Sequence, residues 1–177
     1  MIVLNGPPGC GKSTLARRFA DDHPLVLCLD IDRLRAMIGC WRDNQHQAGL
    51  MARAMALAAA RIHLDGGRDV IVPQFLGRPD FLDQLAQAAR ESGAEFREFA
   101  LLDSKENALR RFAARPTSAE SAARAAHEFV HDPGPAELAR MYDRLLDLIA
   151  DRPDVRIVWV VEDQIEQTYQ ELLLALS

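Results

Sequence analysis

The sequence contains very little lysine: only two of its 21 basic residues are lysines, Lys12 and Lys105. Its three cysteines form no C-x-x-C pair, so we expect free thiols in a reducing compartment, the cytoplasm. No apolar run approaches the roughly 20 residues of a membrane helix, and a strand predicted from residue 2 leaves no room for a cleavable leader. The net charge of −5 gives no general attraction to phosphate backbones and disfavours a nucleic-acid partner. The length of 177 residues predicts a single domain, which we expect to be monomeric or homodimeric.

A glycine-rich stretch near the start of the chain carries the strongest signal. It runs from Gly6 to Ser13 as GPPGCGKS and matches the phosphate-binding pattern G-x-x-x-x-G-K-[ST] at every required position. An apolar run at residues 2–4 predicts a buried strand before it, and apolar residues at helical spacing follow it, as this pattern requires. The residues predicted to bind a nucleoside triphosphate, ATP or GTP, are Gly6, Gly9, Cys10, Gly11, Lys12, Ser13 and Thr14.

The chemistry of this loop follows from its backbone. Pro7 and Pro8 have no N–H group, so the donors to phosphate begin at Gly9, at the positive end of the following helix. Lys12 is expected to reach the β- and γ-phosphates as a catalytic cation, and the Ser13 hydroxyl is expected to bind Mg²⁺. A sequence that almost avoids lysine therefore has one where a compact ammonium group is needed.

Two carboxylates separated by one residue follow the second apolar run, at residues 25–29. Asp30 and Asp32 would lie at the carboxyl end of a strand, where ligands bind in open α/β sheets. Asp30 could contribute to the Mg²⁺ shell or simply cap the next helix, since aspartate is a favoured N-cap. Asp32 is the candidate general base for an attacking hydroxyl group, with capping as its alternative role.

The phosphate-binding loop, a short helix and a strand ending in Asp-Ile-Asp-Arg-Leu together resemble the small P-loop kinases. Among these the sequence is most similar to chloramphenicol phosphotransferase, the tunicamycin-resistance protein and the zeta-toxin-like kinases. The resemblance places the proposed base of chloramphenicol phosphotransferase on Asp32. It also implies an acceptor pocket in the segment around Trp41, with a solvated connector as the alternative. The further candidates for substrate binding are Arg35, Trp41 and Gln74.

The third predicted strand, at residues 70–72, is not followed by an acid. Many P-loop kinases place an aspartate there, whereas this sequence continues as Val-Pro-Gln, which resembles the tunicamycin-resistance protein. This departure moves the expected Mg²⁺ ligation onto Ser13 and Asp30. Gln74 could hydrogen-bond a neutral substrate or could be a loop residue without a role.

Two arginines follow where adenylate-kinase-like enzymes carry them. Ser104 is predicted to cap a helix that Pro116 ends, with Arg111 and Arg115 four residues apart on one face. The resemblance implies that both arginines reach the transferring phosphoryl group and that Arg115 also binds the nucleotide. Solvated arginines are the alternative. Residues 111–136 are expected to form a small helical lid that closes over the phosphates.

Strand and helix patterns alternate along the chain. They predict a three-layer α/β/α fold of the P-loop NTPase class with a five-stranded parallel sheet. Two more strands are expected at residues 96–102 and 155–161. The helix predicted at residues 43–64 is expected to be largely buried through a broad apolar surface, which comprises Leu50, Met51, Ala54, Met55, Leu57, Ala58 and Ile62.

These patterns predict a Mg²⁺-dependent kinase that transfers the γ-phosphate of a nucleoside triphosphate to a hydroxyl group of a small molecule. The resemblance favours an antibiotic or a nucleoside-type acceptor, and hence resistance by inactivation. The alternatives are a nucleotide-gated binding module without catalysis, a zeta-toxin-like nucleotide-sugar kinase and a nucleic-acid end kinase. The acidic charge and the absence of an aromatic and basic groove disfavour the end kinase.

Overall fold

Five parallel strands form the sheet of the computed structural model, in the order β2-β3-β1-β4-β5. The structure describes residues 1–113, 134–161 and 164–177, with the side chains of residues 111–113 excluded. The strands are β1 (Ile2–Asn5), β2 (Leu27–Cys28), β3 (Val70–Pro73), β4 (Arg97–Leu102) and β5 (Arg156–Trp159). Strand β1 lies at the centre, where Val3 pairs with Val72 of β3 and Glu98 of β4. The predicted five-stranded parallel sheet is confirmed.

Helices cover both faces of the sheet. Those in the described part of the chain are α1 (Lys12–Asp22), α2 (Ile31–Ala36), α3 (Gln45–Asp65), α4 (Pro79–Glu91), α5 (Lys105–Ala113), α6 (Pro135–Ala150) and α7 (Ile165–Leu176). Successive side chains of β1 point to opposite faces. Leu4 packs with Leu15 of α1 and Leu172 of α7. Val3 belongs to a different hydrophobic cluster, which includes Leu85 of α4. The three-layer α/β/α prediction is therefore confirmed.

Helix α3 is buried along a different face from the one that the sequence predicts. Its buried side chains recur at every fourth residue and are Ala48, Ala52, Ala56, Ala60 and Leu64. The larger apolar residues point outward: Met51 is 51% exposed, Ile62 is 75% exposed, and Leu50 and Met55 are exposed as well. The predicted burial through these large residues is wrong. A stripe of alanines lets α3 approach α2 and α4 closely, so side-chain size rather than hydrophobicity decides which face turns inward.

Strand β2 is shorter than the apolar run at residues 25–29 predicts. Leu25 is exposed and has a positive φ of 66°, so the chain enters the sheet only after this residue. The Leu27 N–H donates a 2.9 Å hydrogen bond to the carbonyl of Asp69, just before β3, and the Leu29 N–H donates one of 2.8 Å to the carbonyl of Ile71 in β3. This short pairing is enough to bring Asp30 to the carboxyl edge of the sheet.

The other elements predicted within the described residues are present, with ends that differ by a few residues. Ser104 caps α5 as predicted, since its hydroxyl oxygen accepts the backbone N–H of Asn107 at 3.1 Å. Most of the predicted lid, residues 111–136, lies outside the described residues and stays a prediction. In the ranges that the structure describes, no helix combines the length and the apolar character needed to cross a membrane.

Candidate active site

The loop between β1 and α1 has an unusual backbone. Gly9 and Gly11 have positive φ angles of 84° and 92°, a region that residues with a side chain rarely adopt. Gly6 is needed for space, because a Cβ atom there would lie 2.7 Å from both Cys10 Sγ and the Leu101 carbonyl oxygen. Substitution at any of these glycines would therefore strain or displace the loop.

Lys12 folds back over this loop. Its Nζ donates a 2.9 Å hydrogen bond to the carbonyl oxygen of Pro7 and lies 3.9 Å from Cys10 Sγ. The residue is only 9% exposed, so its charge is largely withdrawn from water. A carbonyl is a weaker partner for a buried ammonium group than an anion, because hydrogen bonds between charged groups are stronger. The position of Lys12 therefore favours an anionic ligand.

The first turn of α1 offers further donors to such a ligand. The backbone N–H groups of Gly11, Lys12 and Ser13 donate to no acceptor among the described residues. Thr14 differs, since its N–H bonds to the Gly11 carbonyl at 3.0 Å and is used within the helix. Adjacent amides at a helix N-terminus, next to a buried ammonium group, fit a bound polyphosphate. Ser13 lies in this turn and could add its hydroxyl to the shell of a Mg²⁺ ion, which keeps several waters and needs few protein ligands.

Asp30 caps helix α2. Its Oδ1 accepts the backbone N–H groups of Asp32 at 3.1 Å and Arg33 at 3.2 Å, and its Oδ2 lies 3.8 Å from Arg33 Nε. The structure thus supports the capping alternative for this residue. No group of three or more histidine, cysteine, aspartate or glutamate ligands lies together in the described ranges. Any contact of Asp30 with Mg²⁺ would have to use its second oxygen or a bridging water.

The residues predicted to bind the acceptor lie together around α2. Asp32 Oδ1 lies 3.0 Å from Arg35 Nη2, and Asp32 Oδ2 accepts a 3.3 Å hydrogen bond from Gln74 Nε2. The Arg35 guanidinium lies over the ring of Trp41, 5.0 Å from its centre, and that of Arg42 lies 4.6 Å from the same ring. Trp41 itself is buried. The carboxylate of Asp32 is therefore held in one direction by contacts to both oxygens.

A family model described as an AAA domain matches residues 1–132 of the sequence. The chain belongs to this AAA domain family. The match includes the phosphate-binding loop, Asp30 and the cluster around Asp32. No protein in a comparison with curated sequences matches.

Solved structures share the fold of this AAA domain at low sequence identity. A gluconokinase from Sinorhizobium meliloti 1021 has 19% identity and a TM-score of 0.66, over 99% of this chain and 90% of its own. A candidate kinase from Chloroflexus aurantiacus j-10-fl has 16% identity and a TM-score of 0.68, over 99% and 94%. The protein APE1195 has 21% identity and a TM-score of 0.64, over 98% and 92%. The chain thus shares its fold with these structures, and the narrower resemblance to chloramphenicol phosphotransferase stays a prediction.

Asn5 is a residue of the AAA domain that sequence reasoning missed. It ends β1, is 0% exposed, and its side chain bonds to Gly6 and Leu76. The available signal was a polar residue at the end of an apolar strand, directly before the glycine-rich loop. A buried amide at that point needs partners, and those partners belong to the loops of the site.

Asp103, at the end of β4, was also missed. Its Oδ1 accepts the backbone N–H of Ser104 at 2.6 Å and Asn107 Nδ2 at 3.0 Å, and its carbonyl oxygen accepts the Tyr142 hydroxyl. Burial, and then the nearby carboxylate of Asp103, raise the pKa of Tyr142 above its ordinary value. These contacts fix the start of α5 at the carboxyl edge of the sheet.

The two arginines expected to reach the phosphoryl group belong to the chain beyond this point. Arg111 lies in α5, but its side chain is outside the described residues, as is all of Arg115. The role of both arginines therefore stays a prediction.

Proposed function

We propose that this AAA domain is a phosphotransferase that moves the γ-phosphate of a nucleoside triphosphate to a hydroxyl group of a small molecule. The observation that supports this best is the hydrogen bond from Gln74 Nε2 to Asp32 Oδ2. It joins a carboxylate to the loop after β3, and β3 is the neighbour of the strand that leads into the phosphate-binding loop. An acid and a phosphate cradle at one edge of the sheet are what phosphorylation of a hydroxyl group needs.

The phosphate-binding loop would hold the nucleotide. Lys12 Nζ would exchange the carbonyl of Pro7 for charged phosphate oxygens, which strengthens its hydrogen bonds. The amides of Gly11 and Ser13 would bind phosphate oxygens at the N-terminus of α1. The nucleotide supplies the transferable phosphoryl group, and Mg²⁺ neutralises part of its charge.

Asp32 would accept the proton of the acceptor hydroxyl group. Because Arg35 and Gln74 each hold one oxygen, the direction of the carboxylate is fixed before an acceptor arrives. Orientation matters here more than base strength, since the transition state of phosphoryl transfer is loose and the proton moves late.

The acceptor is proposed to be a hydroxylated antibiotic or a nucleoside, because the motifs around Asp32 resemble those of antibiotic-inactivating kinases. Trp41 is buried beside the guanidinium groups of Arg35 and Arg42, so it would shape the acceptor pocket by positioning these arginines rather than by stacking on the acceptor. The similarity of the fold to a gluconokinase adds sugar acids to the compounds that deserve testing.

A nucleotide-consumption screen tests this proposal. Purified protein is incubated with Mg²⁺ and ATP or GTP against hydroxylated antibiotics, nucleosides, sugar acids and an oligonucleotide with a 5′-hydroxyl group. We expect acceptor-dependent consumption and a small-molecule product heavier by one phosphate group. Nucleotide binding without transfer to any acceptor would refute the kinase and support a nucleotide-gated binding module. Transfer to the oligonucleotide alone would replace the small-molecule proposal with an end kinase.

A further inference from the structure

The side chain of Asn5 connects two loops of the candidate active site. Its Oδ1 accepts the backbone N–H groups of Gly6 and Leu76, and its Nδ2 donates to the Leu76 carbonyl, each at 2.9 Å. Gly6 begins the phosphate-binding loop, and Leu76 belongs to the loop between β3 and α4. One fully buried amide therefore uses both its donor and its acceptor to hold these loops together.

These bonds continue the sheet where its backbone pairing ends. The ladder between β1 and β3 runs only as far as Leu4 and Pro73, and the last backbone bond joins Gln74 N–H to the Leu4 carbonyl at 3.1 Å. Beyond it, the amide of Asn5 pairs with the N–H and the carbonyl of Leu76, as a neighbouring strand would. Gln74 is thus held on both sides. Its own N–H bonds to the Leu4 carbonyl, and Leu76, two residues later, bonds to the side chain of Asn5.

A continuous set of contacts then leads to the acceptor side. Gln74 Nε2 lies 3.3 Å from Asp32 Oδ2, so the loop held by Asn5 also orients the candidate base. We infer that Asn5 is a positioning residue that keeps the phosphate-binding loop and Asp32 in register for transfer. The inference rests on the proposed phosphotransferase function. It assigns Asn5 no contact with either substrate.

Asparagine meets the needs of this position better than its nearest alternatives. Alanine would leave three buried backbone groups without their partner, at Gly6 and Leu76. Aspartate would still accept both N–H groups, but its second oxygen would face the Leu76 carbonyl oxygen. We therefore expect the kcat of Asn5→Asp to lie between that of the wild type and that of Asn5→Ala.

The first experiment needs neither nucleotide nor acceptor. Amide hydrogen exchange measured by NMR compares the wild type, Asn5→Ala and Arg152→Met, which removes the ion-pair partner of Glu98 near the other edge of the sheet. We expect Asn5→Ala to speed exchange at Gly6 and Leu76 together, by about 10-fold or more, relative to the surrounding amides. Arg152→Met should leave that relative rate unchanged. Unchanged protection at both amides in Asn5→Ala would overturn the inference. Asn5→Leu, which has a similar size but no acceptor for the two N–H groups, replaces Asn5→Ala should the latter not fold.

The second experiment asks whether Asn5 acts through Gln74, with the acceptor that the nucleotide-consumption screen returns. Asn5→Ala should lower kcat by about 10-fold or more, because small displacements of reacting groups are costly. The nucleotide Kd from calorimetry should change less. The double variant Asn5→Ala with Gln74→Ala should lower kcat by no more than the more damaging single variant does. The fold-changes in kcat caused by Arg152→Met and Gln74→Ala should instead multiply when the two are combined. Losses that multiply for Asn5 and Gln74 would contradict the positioning role.

The two proposals fail in different ways. A wild type that transfers phosphate while Asn5→Ala keeps its full kcat refutes only the role of Asn5. A wild type that transfers no phosphate to any acceptor refutes the proposed function and the positioning role with it. The exchange rates of Gly6 and Leu76 still decide in that case whether Asn5 joins the two loops.

Discussion

Asp30 and Asp32 are separated by one residue and have different surroundings. Asp30 gives one oxygen to two backbone N–H groups at the start of α2, which is the geometry of a helix cap. Asp32 lies within the first turn and has side-chain partners on both oxygens, Arg35 and Gln74. The first carboxylate therefore shapes the helix, and the second faces the loop after β3.

Replacing Asp32 with asparagine should remove the base and keep the shape of the site. We expect Asp32→Asn to lower kcat by about 100-fold or more, the range for loss of a positioned base, with nucleotide affinity largely retained. Kinetics with a confirmed acceptor and calorimetry with the nucleotide measure the two quantities. Turnover at the wild-type rate would exclude Asp32 as the base.

The same replacement at Asp30 is the matched control. Asparagine caps helices about as well as aspartate, so Asp30→Asn should fold normally and change kcat by much less than Asp32→Asn does. The Mg²⁺ concentration that gives half-maximal rate separates the two roles left open for Asp30. A strong rise in that concentration for Asp30→Asn would show a magnesium ligand rather than a simple cap.

The two lysines of the chain provide a second matched pair. Lys12 is buried over the phosphate-binding loop, whereas Lys105 forms an exposed ion pair with Asp143 at 2.6 Å. Lys12→Ala should abolish nucleotide binding measured by calorimetry, because the buried cation is lost from the cradle. Lys105→Ala should bind as the wild type does, since an exposed ion pair contributes little. Equal affinities for the two variants would contradict the assignment of the loop.

At the scale of elements, helix α3 depends on small side chains along its buried face. Ala56 is completely buried, and Ala58 lies on the exposed side of the same helix. Ala56→Leu should lower the free energy of unfolding by about 1–3 kcal/mol, as expected for overpacking a filled interface. Ala58→Leu should change it by no more than about 0.5 kcal/mol. Denaturant unfolding measures both, and an Ala56→Leu variant as stable as the wild type would show that α3 is loosely packed.

The outcome at α3 also indicates which features the sequence could predict. The phosphate-binding loop follows from residue types at fixed spacing, and the sheet follows from apolar runs separated by helical patterns. The buried face of α3 could not be predicted in this way. Met51 and Ile62 are more hydrophobic than alanine and were expected inside, but close helix packing buries the smaller alanines instead. Asn5 was missed for a related reason, since its partner Leu76 is 71 residues away and only the fold brings them together.

At the scale of the whole molecule, the two edges of the sheet carry different polar groups. The carboxyl edge holds the candidate active site. Toward the opposite edge, Arg152 Nε lies 2.8 Å from Glu98 Oε2 in β4, and Arg152 Nη1 lies 3.0 Å from Asp83 in α4. Burial raises the pKa of Glu98 above its ordinary value, although Arg152 opposes this shift. Arg152 thus connects three elements around a carboxylate that the fold partly desolvates.

The raised pKa of Glu98 fixes the sign of a pH effect on stability. A carboxyl group whose pKa is higher in the folded state stabilises the fold below its unfolded pKa, and this contribution is lost as the pH rises through the folded pKa. Glutamine has the same shape and does not ionise. The wild type should therefore lose stability relative to Glu98→Gln as the pH rises from about 4 to about 7. Denaturant unfolding of both proteins at each pH gives the difference.

Glu95 provides the control of opposite sign. A hydrogen bond from Arg97 lowers the pKa of Glu95, which is exposed, so its contribution is present above the unfolded pKa and is lost as the pH falls. The wild type should gain stability relative to Glu95→Gln over the same rise in pH, by a smaller amount, because the pair lies in water. If the stability difference between wild type and variant changes with pH in opposite directions for the two variants, this would support a desolvated Glu98 held by Arg152. Changes in the same direction would mean that Glu98 is hydrated in solution and that the contacts of Arg152 with Glu98 and Asp83 are not formed.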